Sequence, residues 1–196
     1  DGTNIERNLY LSTQIMELGI PVIMAVNMMD IVEKNGDKIH IDKLAKKLGC
    51  EVVTISALKG TGIKEAADKA VQIAQKKGAA VPVHEFDKDV EAVIRTVESK
   101  LGSDIVNEQK RFFAIKLLEK DDKITEQMKS VPDVSAEIKQ LEDKFDDDTE
   151  SIITNERYVY ISSIIGDCVT KNTKEKLTTS DKIDRIVTNR WLALPI

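Results

Sequence analysis

The sequence has 196 residues, of which 41% are hydrophobic, 32% are charged and 4% are aromatic, and its net charge is −5. This composition excludes a disordered chain, and the length is that of one large or two small globular domains. The acidic balance and the few aromatic residues disfavour a nucleic-acid-binding surface, so we expect no nucleic acid among the partners. Two cysteines and two histidines form no spaced cluster, so we also expect no metal site.

Glycine content and charge divide the chain into two parts. Residues 1–80 contain seven of the nine glycines, with 11 basic and 10 acidic residues, whereas residues 81–196 have 18 basic and 24 acidic residues. Because glycine marks tight turns, the first part is predicted to be turn-rich and the second to consist mostly of longer helices. The chain starts at Asp1 and stops within an apolar run, so we expect it to be a piece of a longer protein.

Two strands and three helices are predicted to alternate in the first part. The apolar runs Pro21–Val26 and Glu51–Ile55 are typical of strands that are buried on both faces of a parallel sheet. Helices are expected before, between and after them. This α-β-α-β-α order predicts the α/β class with a parallel, doubly wound sheet, and we expect further strands to precede Asp1.

The ends of these helices are predicted from capping residues. Thr3 and Glu6 fit a capping box for a helix that runs to about Leu18. Asp42 is expected to cap the second helix, which Gly49 ends. The third helix begins at the first of the residues on its apolar face, which are Ile63, Ala66, Ala67, Ala70 and Ala74.

The second part is predicted to be all helical. Four apolar stripes have helical spacing and are expected to face a core: Val90, Val93, Ile94, Val97 and Leu101; Phe113, Leu117 and Leu118; Ile138, Leu141 and Phe145; Tyr158, Ile161, Ile165 and Cys168. Ser180 is the expected cap of a last helix, 181–190. The acidic run 146–148 is either a solvated turn or a cation site, and a turn is the more common structure for such a run.

The residues that follow the two strands carry the chemistry. The first strand is followed by Asn27, Met28 and Asp30, and the second by Ser56, Ala57 and Leu58. Ser56 is the 29th residue after Asn27. In parallel sheets, ligands bind at the carboxyl ends of the strands. Asn-x-x-Asp and Ser-Ala-x at these two places indicate the guanine-binding motifs of a GTPase. For Asn-x-x-Asp alone, a helix start capped by Asn27 or Asp30 would be the simpler interpretation, and Ser-Ala-Leu alone is a weaker signal still.

The donors and acceptors of guanine explain why these residue types are suitable. The carboxylate of Asp30 can accept hydrogen bonds from guanine N1 and N2 together, whereas adenine would present an unpaired acceptor to it. A mismatch of this kind can discriminate by roughly 10⁴. The Ala57 N–H is expected to point at O6, and Asn27 to bond N7 and brace the neighbouring loop. Ser56 would hold that loop in shape, and the thioether of Met28 would contact the base.

Longer stretches resemble the ferrous iron transport protein B (FeoB) family. The stretch from Asp1 to Gln14, then Leu18–Val22 before Asn-Met-Met-Asp, is similar to that family, as is the terminal segment from Ser180 to Ile196. The resemblance implies the C-terminal half of a P-loop GTPase domain at 1–80 and a helical domain at 85–180. It also implies a juxtamembrane linker at 181–196, leading toward a membrane domain.

The same resemblance implies a function and partners. GTP or GDP would bind, and GTP hydrolysis would regulate Fe²⁺ uptake through the protein's own permease domain at the cytoplasmic face of the bacterial inner membrane. A homo-oligomer or a small regulatory subunit is a further expected partner. Alternatives are another bacterial GTPase, such as a ribosome-associated one, or a helical interaction module.

The motifs that hold phosphate and Mg²⁺ in GTPases do not occur in this sequence. There is no Gly-x-x-x-x-Gly-Lys-[Ser/Thr], and the glycine-rich segment 60–62 has no lysine placed to contact a phosphate. Mg²⁺ is expected in the full protein, but its ligands are missing from this chain. The six residues after the strands are therefore predicted to bind nucleotide, none is predicted to be catalytic, and the chain alone is expected to hydrolyse GTP negligibly.

Overall fold

The computed structural model describes residues 1–76 and 84–172. Its helices are α1 to α9, with bounds Ile5–Met16, Met29–Asn35, Ile41–Leu48, Ile63–Gln75, Lys88–Lys100, Lys110–Leu118, Asp122–Thr125, Ser135–Phe145 and Thr149–Cys168. The strands β1 to β4 are Ile23–Val26, Lys38–Ile39, Glu51–Thr54 and Val169–Thr170. The predicted last helix, 181–190, and the linker 181–196 lie outside the described residues. No helix within the described ranges is both long and apolar enough to cross a membrane.

The predicted parallel strand pair is confirmed. β1 pairs with β3 in parallel, with Ile23 opposite Glu51 and Val26 opposite Thr54. Burial on both faces was wrong for β1, where Ala25 is exposed and only Val26 is fully buried. Among the described residues β1 has one hydrogen-bonded neighbour, so few side chains are available to cover its faces.

The first helix starts differently from the prediction. The Asp1 carboxylate, and not Thr3, provides the capping acceptor, because it accepts from both the backbone N–H and the hydroxyl of Thr3 at 2.9 and 2.8 Å. This cap belongs to a 3₁₀ turn, Gly2–Asn4, that precedes α1. The capping box was therefore wrong, since the intervening turn uses the Thr3 hydroxyl before α1 begins.

Two further corrections concern α3 and α4. α3 begins at Ile41, so Asp42 lies within the first turn rather than capping it, while Gly49 ends the helix as predicted.

On α4, Ala66 and Ala70 are half-buried, but the rest of the predicted apolar face is exposed, namely Ile63, Ala67 and Ala74. Periodicity identified the apolar face of α4 but could not show how much of it other elements cover.

Several short elements were not predicted, and two of them, α2 and β2, lie between β1 and α3. α2 follows β1 after two residues, and β2 follows α2. β2 pairs antiparallel with β4, with Lys38 opposite Thr170 and Ile39 opposite Val169. The end of the helical part therefore pairs with the segment that directly follows α2.

Among the described residues the buried core forms two clusters, and α9 contributes to both. Ile152 and Ile153 pack with the buried residues of α5, α6 and α8. Further along α9, Ile161, Ile164 and Cys168 pack with α1, α3 and the strands. The predicted stripes are mostly confirmed, although Phe145 and Tyr158 are 37% and 50% exposed. Because α9 joins the two clusters, core packing crosses the boundary predicted between residues 80 and 85.

Candidate site at the ends of two parallel strands

The sheet brings the two motif loops side by side. Val26 and Thr54 are paired at the carboxyl ends of β1 and β3. One residue further, the Ile55 N–H donates to the Val26 carbonyl at 2.9 Å. Parallel pairing thus continues up to the first residue of each motif. The loops that begin at Asn27 and Ser56 therefore emerge from the same edge of the sheet, where parallel folds bind ligands.

Asn27 joins the two loops directly. Its side-chain Oδ1 accepts from the Met28 N–H at 2.8 Å and from the Ala57 N–H at 3.0 Å. Its backbone carbonyl accepts from the Gly2 N–H at 2.8 Å. The expected bracing by Asn27 is therefore present. The Ala57 N–H, which we expected to point at a base oxygen, is already directed at Asn27, so a base O6 would share or replace this bond.

Met28 has the left-handed backbone conformation, with φ of 64°. This conformation is costly for a residue with a Cβ, and it is held by the Asn27 side chain, which accepts from the Met28 N–H. The Met28 side chain is 39% exposed, and α2 begins at the next residue. A partly exposed thioether at the edge of the site is suited to apolar contact with a planar ring.

Asp30 lies in the first turn of α2 and pairs with Lys59 of the other loop. Its Oδ2 is 3.0 Å from the Lys59 Nζ, and the Asp30 side chain is 24% exposed. The Lys59 ammonium, together with a smaller effect of the Ser56 hydroxyl, holds the pKa of the Asp30 carboxyl below its usual value. The start of a helix also favours a carboxylate. Asp30 is therefore an ionised acceptor that faces the second loop.

The second loop is a closed turn. The N–H groups of Ser56 and Thr61 each donate to the other's carbonyl, both at 3.1 Å, and Ser56 is buried. Gly62 follows with φ of 76°, and a Cβ there would lie 2.3 Å from the Thr54 carbonyl oxygen. The Ser56 backbone thus closes the loop, and Leu58 within it is 92% exposed.

Two residues that contribute to this site, Lys59 and Gly2, were not predicted from the sequence. Lys59 directly follows Leu58 and faces Asp30, and its position next to an acidic motif was the available signal. Gly2 donates to Asn27 and is buried, but its distance along the chain gave no signal. Within residues 1–76 and 84–172, no group of three or more His, Cys, Asp or Glu could hold a metal ion.

Family models match both parts of the chain. The model described as Ferrous iron transport protein B matches residues 1–70. The model described as FeoB cytosolic helical domain matches residues 86–170. The FeoB Fe(2+) transporter of Escherichia coli strain K12 is 34% identical over 197 residues, which is all of this chain and 25% of that protein. A fusion of Fe(2+) transport protein A with Fe(2+) transporter FeoB from Porphyromonas gingivalis is 31% identical over 210 residues. The chain spans about a quarter of the length of these curated relatives.

Solved structures agree with these matches. A point mutant of NFeoB from S. thermophilus bound to GDP superposes with a TM-score of 0.81 at 37% identity, covering 87% of this chain and 67% of that one. NFeoB from the same source bound to GDP.AlF4− and K+ gives a TM-score of 0.76 at 39% identity, covering 84% and 65%. The fold is therefore the predicted one, part of a P-loop GTPase-type domain followed by a helical domain. The chain belongs to the ferrous iron transport protein B family.

Proposed function

We propose that this chain is the guanine-binding portion of a Fe²⁺ transporter GTPase. The observation that carries the proposal is the pairing of the two loops, in which Asn27 bonds Ala57 and Asp30 faces Lys59. The similar NFeoB structure from S. thermophilus is bound to GDP, which supports a nucleotide as the ligand. Family membership favours this function over a ribosome-associated GTPase.

Each of the six residues has a role in this proposal. Asp30 accepts from guanine N1 and N2, which only a base with donors at both positions can satisfy. The Ala57 N–H donates to O6, and Asn27 contacts N7 while it keeps the loops together. Ser56 maintains the turn, and Met28 and Leu58 supply apolar contact with the base. None of the six is proposed to be catalytic.

The remaining parts of the function belong to the whole protein. GTP hydrolysis would govern Fe²⁺ uptake by the permease domain, with this chain on the cytoplasmic face of the bacterial inner membrane. Mg²⁺ would be held by residues outside this chain, together with the phosphates. A second copy or a small regulatory subunit remains a prediction from the family resemblance. The chain alone is predicted to hydrolyse GTP at the background rate, which a phosphate-release assay with pure protein measures.

An Asp30→Ala substitution in the whole transporter tests the proposal. Loss of two charge-assisted hydrogen bonds is expected to weaken GDP binding by about a hundredfold or more and to reduce Fe²⁺ uptake. Asp68→Ala on α4 is the matched control, because it removes the same charge from an exposed helix away from the loops. If Asp30→Ala left both GDP affinity and Fe²⁺ uptake at the control level, guanine binding by these loops would be ruled out.

A further inference from the structure

Lys59 forms an ion pair with the carboxylate that is proposed to bind the base. Its Nζ is 3.0 Å from Asp30 Oδ2, and the Lys59 and Asp30 side chains are 61% and 24% exposed. We propose that Lys59 is a built-in competitor for Asp30, which weakens the binding of guanine nucleosides and nucleotides and makes base binding tighter as salt is added. This inference rests on the proposed function, since it concerns the same carboxylate.

The loop backbone directs Lys59 toward Asp30. The Lys59 N–H donates to the Ser56 carbonyl at 3.1 Å, and the Gly60 N–H donates to the Ala57 carbonyl at 3.3 Å. These bonds form a tight turn immediately after β3. Leu58, at the tip of the turn, is 92% exposed, whereas Lys59 returns toward the end of β1. The ion pair therefore follows from the backbone of the turn and not only from the flexibility of a long side chain.

Competition follows from the number of oxygens that guanine needs. A carboxylate binds the N1 and N2 donors of guanine with both of its oxygens. One of these, Oδ2, already accepts from Lys59. The ammonium carries a full positive charge and the guanine N–H hydrogens carry a partial one, so they repel each other when they share one oxygen. The base therefore binds both oxygens more strongly once Lys59 has moved away from Oδ2.

Protonation of Asp30 plays no part in this competition at neutral pH. The pKa of Asp30 is held below its usual value, mainly by Lys59 itself, so the carboxyl is ionised with or without the base. The Lys59 ammonium and the base therefore compete as donors for the same ionised carboxylate of Asp30. Replacing Lys59 leaves Asp30 as a surface carboxylate that the Ser56 hydroxyl and the start of α2 still favour.

The size and sign of the effect follow from the exposure of the pair. An ion pair between exposed side chains is weak, so its displacement is expected to cost the base a factor of about two to five in affinity. Salt screens such a pair, because the Debye length falls from about 10 Å at 0.1 M to about 3 Å at 1 M. For guanosine, which is uncharged, added salt should therefore tighten binding. Nucleotide phosphates would mask this trend, since salt weakens their contacts.

The experiment is an NMR titration of the 196-residue chain with guanosine at low and high KCl concentration. At low salt, Lys59→Met is expected to bind guanosine about two- to fivefold more tightly than the wild type, because this is the contribution of an exposed ion pair. Its affinity for guanosine should no longer depend on salt. Lys59→Arg keeps the positive charge and can pair with both carboxylate oxygens, so it should keep the salt dependence and bind guanosine no more tightly than the wild type. Lys69→Met is the matched control, because Lys69 pairs with Glu51 and Glu65 instead of Asp30.

The outcomes separate this inference from the function on which it rests. If the wild type binds guanosine in preference to adenosine but Lys59→Met binds it equally or more weakly, competition by Lys59 is overturned while guanine binding stands. If the wild type shows no preference for guanosine, both proposals fail. Unchanged amide spectra of Lys59→Met without ligand would show that the variant is folded, as expected for an exposed side chain.

Discussion

Arg157 and Glu17 form a bidentate ion pair that is fully buried between α9 and α1. The Arg157 Nε and Nη2 atoms lie 2.9 and 2.8 Å from the two Glu17 oxygens, and the residues are 140 positions apart. Arg157 also donates to Glu119 through Nη1. The His84 Nε2 is 3.2 Å from Glu17 Oε1. This cluster joins the α/β part of the chain to the helical part.

Removing Arg157 should destabilise the protein strongly. Arg157→Met leaves the carboxylates of Glu17 and Glu119 buried near one another, and breaking a buried pair in this way costs about 3–5 kcal/mol of unfolding free energy. Urea unfolding measures the loss. The double variant Arg157→Met with Glu17→Leu should lose less than the two single variants combined. Equal stability of Arg157→Met and wild type would show that the cluster does not join the two parts.

The same cluster predicts how stability changes with pH. Burial alone would raise the pKa of Glu17, but the buried, hydrogen-bonded ion pair with Arg157 outweighs it and holds the pKa below its ordinary value of 4.5. A lowered pKa contributes stability that is complete above 4.5 and is lost as the pH falls through the folded-state value. Glu17→Gln should therefore cost less stability at low pH than at neutral pH.

Glu98 provides a control of opposite sign for the pH prediction. Burial raises its pKa above the ordinary value, so ionised Glu98 lowers stability as the pH rises. Glu98→Gln should gain stability relative to the wild type at neutral pH and lose this gain in acid. The midpoints of urea unfolding are compared for the wild type, Glu17→Gln and Glu98→Gln between acid and neutral pH. If the midpoints of Glu17→Gln and the wild type changed with pH in parallel, the lowered pKa of Glu17 would be contradicted.

α9 should make the two core clusters unfold together. Ile153 lies in one cluster and Ile164 in the other, and both side chains are fully buried. Replacing either with alanine removes about three methylene-sized groups and should cost about 2–5 kcal/mol. Native-state hydrogen exchange should show that each variant lowers the protection of both clusters. Protection lowered in only one cluster per variant would mean that the clusters unfold independently.

Two glycines of the second loop differ in what a side chain would meet. Gly60 and Gly62 both have positive φ, but a Cβ at Gly60 has open space, whereas one at Gly62 would lie 2.3 Å from the Thr54 carbonyl oxygen. Gly60→Ala should therefore cost only the conformational strain of about 1–2 kcal/mol. Gly62→Ala should lower the free energy of unfolding by clearly more than Gly60→Ala, because β3 or the loop must move. The same movement should weaken guanosine binding. Equal stability losses in urea would contradict this close approach.

The sequence predicted β1, β3 and the closeness of the two loops that follow them because these features rest on local patterns. Apolar runs marked β1 and β3, and the residues after them are adjacent because parallel strands end at the same edge. α2 was missed because it is short and largely polar, and β2 because it pairs with a strand far along the chain. The contact of Lys59 with Asp30 depends on how a turn closes, which residue spacing does not specify.

A base-exchange experiment at Asp30 tests the central claim most directly. Xanthine has a carbonyl where guanine has its N2 amine, so a carboxylate suits guanine, whereas an asparagine amide, with one acceptor and one donor, suits xanthine. Binding of GMP and XMP, which carry the same phosphate, is measured for the wild type and for Asp30→Asn. We predict that the wild type prefers GMP and that Asp30→Asn prefers XMP. The same preference in both proteins would contradict base recognition by Asp30.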